Sequence, residues 1–353
     1  MEQMNYTKKV LIVFFWMLAL IFVLFLPKVK IFNGKKSINV YSWASVFSPD
    51  FLKKFEEKTG IQVNVSYYES NEELFVKLKA TQGRGYDLIL PSDYFVPHLI
   101  SLGLIKKINK EKLNFFDRIN PNLKGFYYDA KNEYTVPYLW EAYGIVLSKE
   151  RLAGLKEVSW SLVYDKAPER IGVVDDPIEL IFIASKYLYG DINDFSDERL
   201  DVISKLLKEQ KKHVVAYSNF LGDRALTSFG CSVIMSASSE VWKLLRRSND
   251  YSFVVPKEGS ILSVENFAIP IFSEKEEYVY EFLNELYRIE NLVESASEAP
   301  FLPVVLGVEE ELQIPSDLQK ILDMSKSEFQ KFDFLQDVIA EDKINDIWIS
   351  LKS

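Results

Sequence analysis

INVYSWASVFSPDFLKKFEEKTGIQV, residues 38–63, and YYESNEELFVKLKATQGRGYDLILPSDYFVPHL, residues 67–99, carry the reading that decides the fold. Residues 38–43 and 61–68 are β-rich runs with partial alternation of apolar and polar side chains. Between them Ser48 reads as an N-cap, Pro49 takes the first helical position and Asp50 the first turn. Phe51, Leu52 and Phe55 then form an apolar stripe, and Gly60 closes the helix. Ser70 with Glu73 three residues later is a capping box, opening a second helix that runs through Ala80. Residues 87–90 make a short apolar strand that ends in the loop Pro91-Ser92-Asp93-Tyr94. Strand, helix, strand, helix, strand at this spacing predicts a largely parallel α/β sheet. Ligands of such sheets sit beyond the carboxyl ends of strands, and Trp43 and Ser92-Asp93-Tyr94 stand at two such ends.

Downstream, Pro137-Tyr138-Leu139-Trp140-Glu141 leads into an apolar run through Leu147. Residues 171–176 read as a strand ending in Asp175-Asp176-Pro177, with Pro177 starting a helix that carries Glu179 in its first turn. A polar helix over 197–211 and strands over 214–218 and 232–236 follow, and the chain returns through 254–259 to 263–270. Ser273 with Glu276 reads as the cap of a long helix, and residues 337–351 as a terminal amphipathic one.

Of 353 residues, 42 are basic and 51 acidic, and beyond residue 36 the balance tips further, to a net −14. That surface opposes nucleic-acid binding, which needs the other sign, and mildly favours attracting cations. It also keeps a soluble domain dispersed. The part beyond residue 36 is long enough for two domains at ~100–200 residues each. Residues 10–26 are an unbroken apolar run between Lys8-Lys9 and Pro27-Lys28. At the short limit of the ~17–25 residues that span a bilayer, it reads first as an uncleaved signal anchor and second as a cleaved signal peptide. The lone cysteine, Cys231, makes a lipid-anchored N-terminus impossible and permits no internal disulfide. Lys28, Lys30, Lys35 and Lys36 outnumber Lys8 and Lys9, a bias that alone would hold the downstream side in the cytoplasm. No HExxH, GxSxG, Walker A or GxGxxG motif is present, and two histidines with one cysteine leave little for a metal site. No enzymatic activity and no cofactor are expected.

The strand-and-helix opening and the PSDY loop together resemble the substrate-binding proteins of polyamine ABC transporters, the spermidine/putrescine-binding family. The resemblance is densest over 38–147, recurs at 171–179 and 254–270, and is thin in the last 50 residues. It implies a two-lobed α/β periplasmic-binding-protein fold of type II, each lobe a mixed sheet flanked by helices, with a ligand cleft between. One lobe would comprise 38–143 plus 266–310 and the other 144–265 plus 311–353, after an N-terminal segment of 1–36. The implied role is the extracytoplasmic binding component of an importer, capturing putrescine, spermidine or a related cation for permease subunits driven by a separate ATPase. The resemblance overrides the lysine bias and places the globular part outside the cytoplasm.

A polyamine is a thin apolar chain studded with ammonium groups, so its site should combine aromatic rings with carboxylates. By resemblance Trp43, Ser92, Tyr94, Asp176, Glu179 and Glu265 match ligand-contacting positions, and Ser218 matches a further serine. Several positions depart. The family has a tyrosine where Val46 stands, with Phe47 adjacent as a substitute, and tryptophans where Ser236 and Ser263 stand. It has a glycine where this chain has Glu141, which reads either as a solvated acid or as a new amine ligand. Glu69 and Glu72, sitting around the cap at Ser70, read as structural, and His98 and His213 as surface or satisfied residues. Trp43 could instead cap the core, Asp176 could be only an N-cap with Glu179 a first-turn acid, and Tyr94 could be helix packing. The alternatives are a binder of another small solute, a sensor or surface module that kept the fold and lost transport, and a hydrolase using paired acids such as Asp175 and Asp176.

Overall fold

The computed structural model describes residues 16–17, 36–44, 46–165, 170–218, 230–298 and 301–353. Apart from Trp16 and Met17, the apolar run over 10–26 lies outside the described residues; among those described, no helix is long and apolar enough to cross a membrane. Residues 37–353 form one compact unit.

Its strands are β1 (Ser37–Ser42), β2 (Gln62–Tyr67), β3 (Leu88–Ile89), β4 (Thr135–Ser148), β5 (Ile171–Val173), β6 (Val214–Tyr217), β7 (Val233–Ala237), β8 (Tyr251–Val254), β9 (Ser260–Ala268), β10 (Leu302–Pro303) and β11 (Phe332–Phe334). The helices that matter below are α1 (Pro49–Thr59), α2 (Asn71–Thr81), α3 (Val96–Ser101), α4 (Lys149–Ala153), α5 (Pro177–Tyr189), α6 (Asp197–Lys211), α7 (Ser238–Arg247) and α8 (Glu276–Leu286).

Local signals set the first half. The Ser48 hydroxyl accepts the Phe51 amide at 3.3 Å, and Gly60 ends α1 in the left-handed region at φ 70°. Phe51 and Phe55 of α1 pack against Phe282 of α8, with ring centroids 5.3–5.7 Å apart. Ser70 caps α2 through the Glu73 amide at 3.2 Å. The Glu73 carboxylate reaches back to the Glu69 amide at 2.9 Å, one residue before the cap.

The sheet runs β2-β1-β3-β9-β4-β7-β5-β6. It is parallel at both wings, β1 with β2 and β3, and β5 with β6 and β7. The middle is antiparallel, β9 with β3 and β4, and β4 with β7. The parallel reading therefore holds where helices cross over, and the long central strands make the sheet mixed. β4 changes neighbours along its length: Thr135–Ala142 pair with β9, while Tyr143–Leu147 pair with β7. Ala142 and Val146 join the core beneath the first wing, whereas Tyr143, Ile145 and Leu147 join the core of α5 and α6. Two α/β halves thus meet at the changeover of one strand.

Two expectations are corrected here. Ser273 does not cap α8: its hydroxyl donates to Asp87 Oδ1 at 3.0 Å, and the helix starts after Lys275 with no side-chain cap. Phe47 does not replace a cleft tyrosine; it is buried against Tyr138, Phe267 and Phe282 in the core.

Candidate functional site

Glu265 is the centre of the site. It lies on β9, bridged to Ser92 beyond the end of β3, and is 9% exposed. The Ser92 hydroxyl donates to Oε1 and the Trp43 indole N–H to Oε2, each at 2.7 Å. Trp43, just past β1, packs its ring on Tyr68 at 4.5 Å. Asn71, the first residue of α2, ties the cluster together. Its side-chain amide donates to the Ser92 hydroxyl at 3.0 Å and to the Tyr94 hydroxyl at 3.1 Å, and its carbonyl accepts the Ser92 N–H at 3.1 Å. Three strand ends are thereby joined by a polar network with no basic member.

The other half supplies the second group of acids. Asp176 caps α5, accepting the Ile178 and Glu179 amides at 2.8 and 3.0 Å through Oδ1. Glu179 accepts the hydroxyl of Tyr143, the first β4 residue past the changeover. Glu141, two residues earlier on β4, accepts the Ser239 hydroxyl at the start of α7. Asp176, Glu179 and Glu141 are half-buried. Ser218 stands at the end of β6, its N–H on Val173 O at 3.1 Å, beside the segment leading to Asp176.

Every one of these carboxylates is shifted the same way. Burial pushes Glu265 up to about 8 against the donors Ser92 and Trp43, with the charge of Glu141 adding to the rise. Burial and then the Asp176 charge hold Glu179 well above the usual carboxylate range, and Glu141 contributes. Burial also raises Asp176, opposed by its two amides, and raises Glu141, opposed by Ser239. Beside them Glu240 is pushed up to about 7 by burial and by Glu141. Among the described residues no lysine or arginine forms an ion pair with Glu141, Asp176, Glu179 or Glu265. Asp175, the neighbour of Asp176, turns instead to Lys352. A buried carboxylate held by neutral donors is stabilised either by protonation or by a cation that enters beside it.

Reading the sequence missed Asn71, Tyr68, Tyr143, Ser239 and Glu240. Glu72, read as structural, is exposed, yet its charge is felt by both Tyr94 and Asp176. Of the serines standing where tryptophans were implied, register puts Ser263 directly opposite Glu141, on the site face. Ser236 pairs with Gly144 on the other face. Among the described residues no group of three His, Cys, Asp or Glu side chains is arranged to hold a metal ion. Surface hollows of about 560 and 580 Å³, lined by residues such as Tyr86, Lys275 and Asn284, share none of these carboxylates.

Two α/β halves thus bring strand ends to a group of acids that no lysine or arginine pairs among the described residues. A model of the bacterial extracellular solute-binding proteins matches residues 50–320, and the chain belongs to that family. It is 28% identical over 259 residues to the spermidine/putrescine-binding periplasmic protein of Escherichia coli, covering 72% of this chain and 74% of that one. To the putrescine-binding periplasmic protein of the same organism it is 28% identical over 281 residues, with the same coverage. The structure of a spermidine/putrescine ABC transporter protein from Listeria monocytogenes superposes with a TM-score of 0.76 at 22% identity, over 90% of this chain and 99% of that one. That likeness establishes the two-lobed periplasmic-binding-protein fold.

Proposed function

We propose that this chain is the extracytoplasmic binding component of an ABC importer and takes a polyamine, putrescine or spermidine, between its lobes. The observation that carries it is the set of carboxylates Glu265, Glu141, Asp176 and Glu179, buried or half-buried with no basic partner among the described residues. The names of the relatives in Escherichia coli support the same ligand class. Trp43, Ser92 and Tyr94 face the ammonium group at Glu265, and Asp176 with Glu179 holds the far one. Ser218 lies beside that second end. The lobes are assigned to 38–143 plus 266–310 and to 144–265 plus 311–353, closing over the ligand about β4 and β9. Permease subunits and a separate ATPase complete the importer, and the ligand leaves chemically unchanged.

The apolar run over 10–26 anchors the protein on the outer face of the cytoplasmic membrane. N-terminal sequencing of protein from the membrane fraction tests this: an intact start supports the anchor, and a mature chain starting near residue 30 removes it.

A thermal-shift panel of putrescine, cadaverine, spermidine, spermine, amino acids and sugars on the purified chain tests the ligand class. A ligand bound only by the folded protein stabilises it by ~2.7 kcal/mol at a hundredfold excess over Kd. Midpoint shifts confined to the amines are expected. A shift with a neutral or anionic solute alone would refute the proposal. One observation favours a second reading, a sensor or surface module without transport: Ser263 rather than an aromatic ring faces Glu141. Tight amine binding combined with unchanged uptake in a deletion strain would select it.

A further inference from the structure

Glu141 occupies a position that the amine reading does not by itself explain. Leu139 of β4 lies opposite Glu265 of β9, and Glu141 lies opposite Ser263, so Glu141 and Glu265 are diagonal neighbours on one face. Tyr143, one more step along that face, donates to Glu179 in the first turn of the helix capped by Asp176. The acids therefore follow one another in the order Glu265, Glu141, then Glu179, reached through Tyr143, with Asp176 at the cap of the same helix. As diagonal neighbours Glu265 and Glu141 stand about 7–8 Å apart, the reach of a short methylene spacer, and Glu179 lies further on, beyond the Tyr143 hydroxyl. The charge of Glu141 is felt by the acids on both sides, Glu265 and Glu179. Its own donor is the neutral Ser239, and the residue opposite it is the small Ser263.

We propose that Glu141 is a central cation subsite and that it makes the preferred ligand a linear triamine rather than a diamine. This rests on the amine reading above. A diamine spanning the row lays methylenes over Glu141, which must then stay protonated or be desolvated without a partner, and both cost binding free energy. A triamine puts a secondary ammonium at that point. The first turn of α7, whose Ser239 hydroxyl donates to Glu141, also favours a carboxylate there through the helix dipole, and that structural role predicts no choice between ligands.

The test is calorimetric titration of the purified full chain with spermidine and with the terminal diamine diaminooctane, which replaces the central nitrogen by carbon at equal length. The wild-type chain should bind spermidine at least about tenfold more tightly. Glu141→Gln should bring the two within about threefold of each other by weakening spermidine alone, and Glu141→Asp should keep a preference. Equal wild-type affinities, or a Glu141→Gln variant that weakens both amines alike or leaves the ratio unchanged, would overturn the central subsite while amine binding stands. Failure of both amines to bind the wild-type chain would overturn the subsite and the reading beneath it.

Discussion

Glu265 has both oxygens occupied by neutral donors, Trp43 and Ser92, and no cation beside it among the described residues. Its carboxyl titrates near 8 rather than at the ordinary 4.5, so the ligand-free protein carries it largely protonated at neutral pH. An arriving ammonium favours the ionised form, so binding releases a proton and affinity should rise with pH up to about 8. Calorimetry at pH 6 and pH 8, in buffers of different ionisation enthalpy, reads both effects. The stability of the ligand-free protein runs the other way. A folded value above the unfolded one gives stabilisation that is full below the ordinary carboxylate range and lost as pH rises through about 8. Its thermal midpoint should therefore fall between pH 5 and pH 8. Glu265→Gln should flatten that dependence while weakening amine binding by ~2–5 kcal/mol, since it strands a desolvated ammonium. Trp43→Phe keeps a ring over Tyr68 but removes a donor that lowers the Glu265 value, so the pH profile should move to more alkaline pH.

Elements start and stop where short-range chemistry says they should. Ser48, Gly60, Ser70, Asp176 and Pro177 act as the sequence implies because their hydrogen bonds or backbone preferences span three residues or fewer. Ser273 shows the limit: its pattern with Glu276 is a capping box, yet its hydroxyl is taken by Asp87, 186 positions away. Asn71 was illegible for the same reason, since its partners Ser92 and Tyr94 lie across the first wing of the sheet. The turn before β9 offers a sharp test at this scale. Gly259 adopts φ +84°, its carbonyl accepts the Trp160 indole at 2.9 Å, and an added Cβ would lie 2.2 Å from Lys331 O. Gly259→Ala should cost at least ~1–3 kcal/mol in denaturant unfolding, with the far end of β9 carrying the damage toward Glu265. Ser70→Ala should cost only ~0.5–2 kcal/mol, the ordinary loss of a cap.

At the scale of the molecule, the wings of the sheet were legible from alternating strand and helix signals, because each crossover is local in sequence. The antiparallel middle was not, since β4 pairs with β9, β7, β8 and β10, all more than 80 residues downstream. The acids of the site were reached through family resemblance, while their linkage through Tyr143, Ser239 and Asn71 needed the fold. The net −14 beyond residue 36 adds a long-range attraction for cations that ions in solution screen over ~10 Å. Rising salt should therefore slow amine association more than it speeds release, measured by stopped-flow fluorescence of the tryptophans.

The most direct test of the acidic site is a calorimetric titration of putrescine and spermidine into the wild-type chain and into a variant carrying both Asp176→Asn and Glu265→Gln. Micromolar or tighter binding to the wild type, lost in the folded double variant, is the predicted result. Amine binding that survives both substitutions, or its absence from the wild type, would contradict the assignment of these carboxylates.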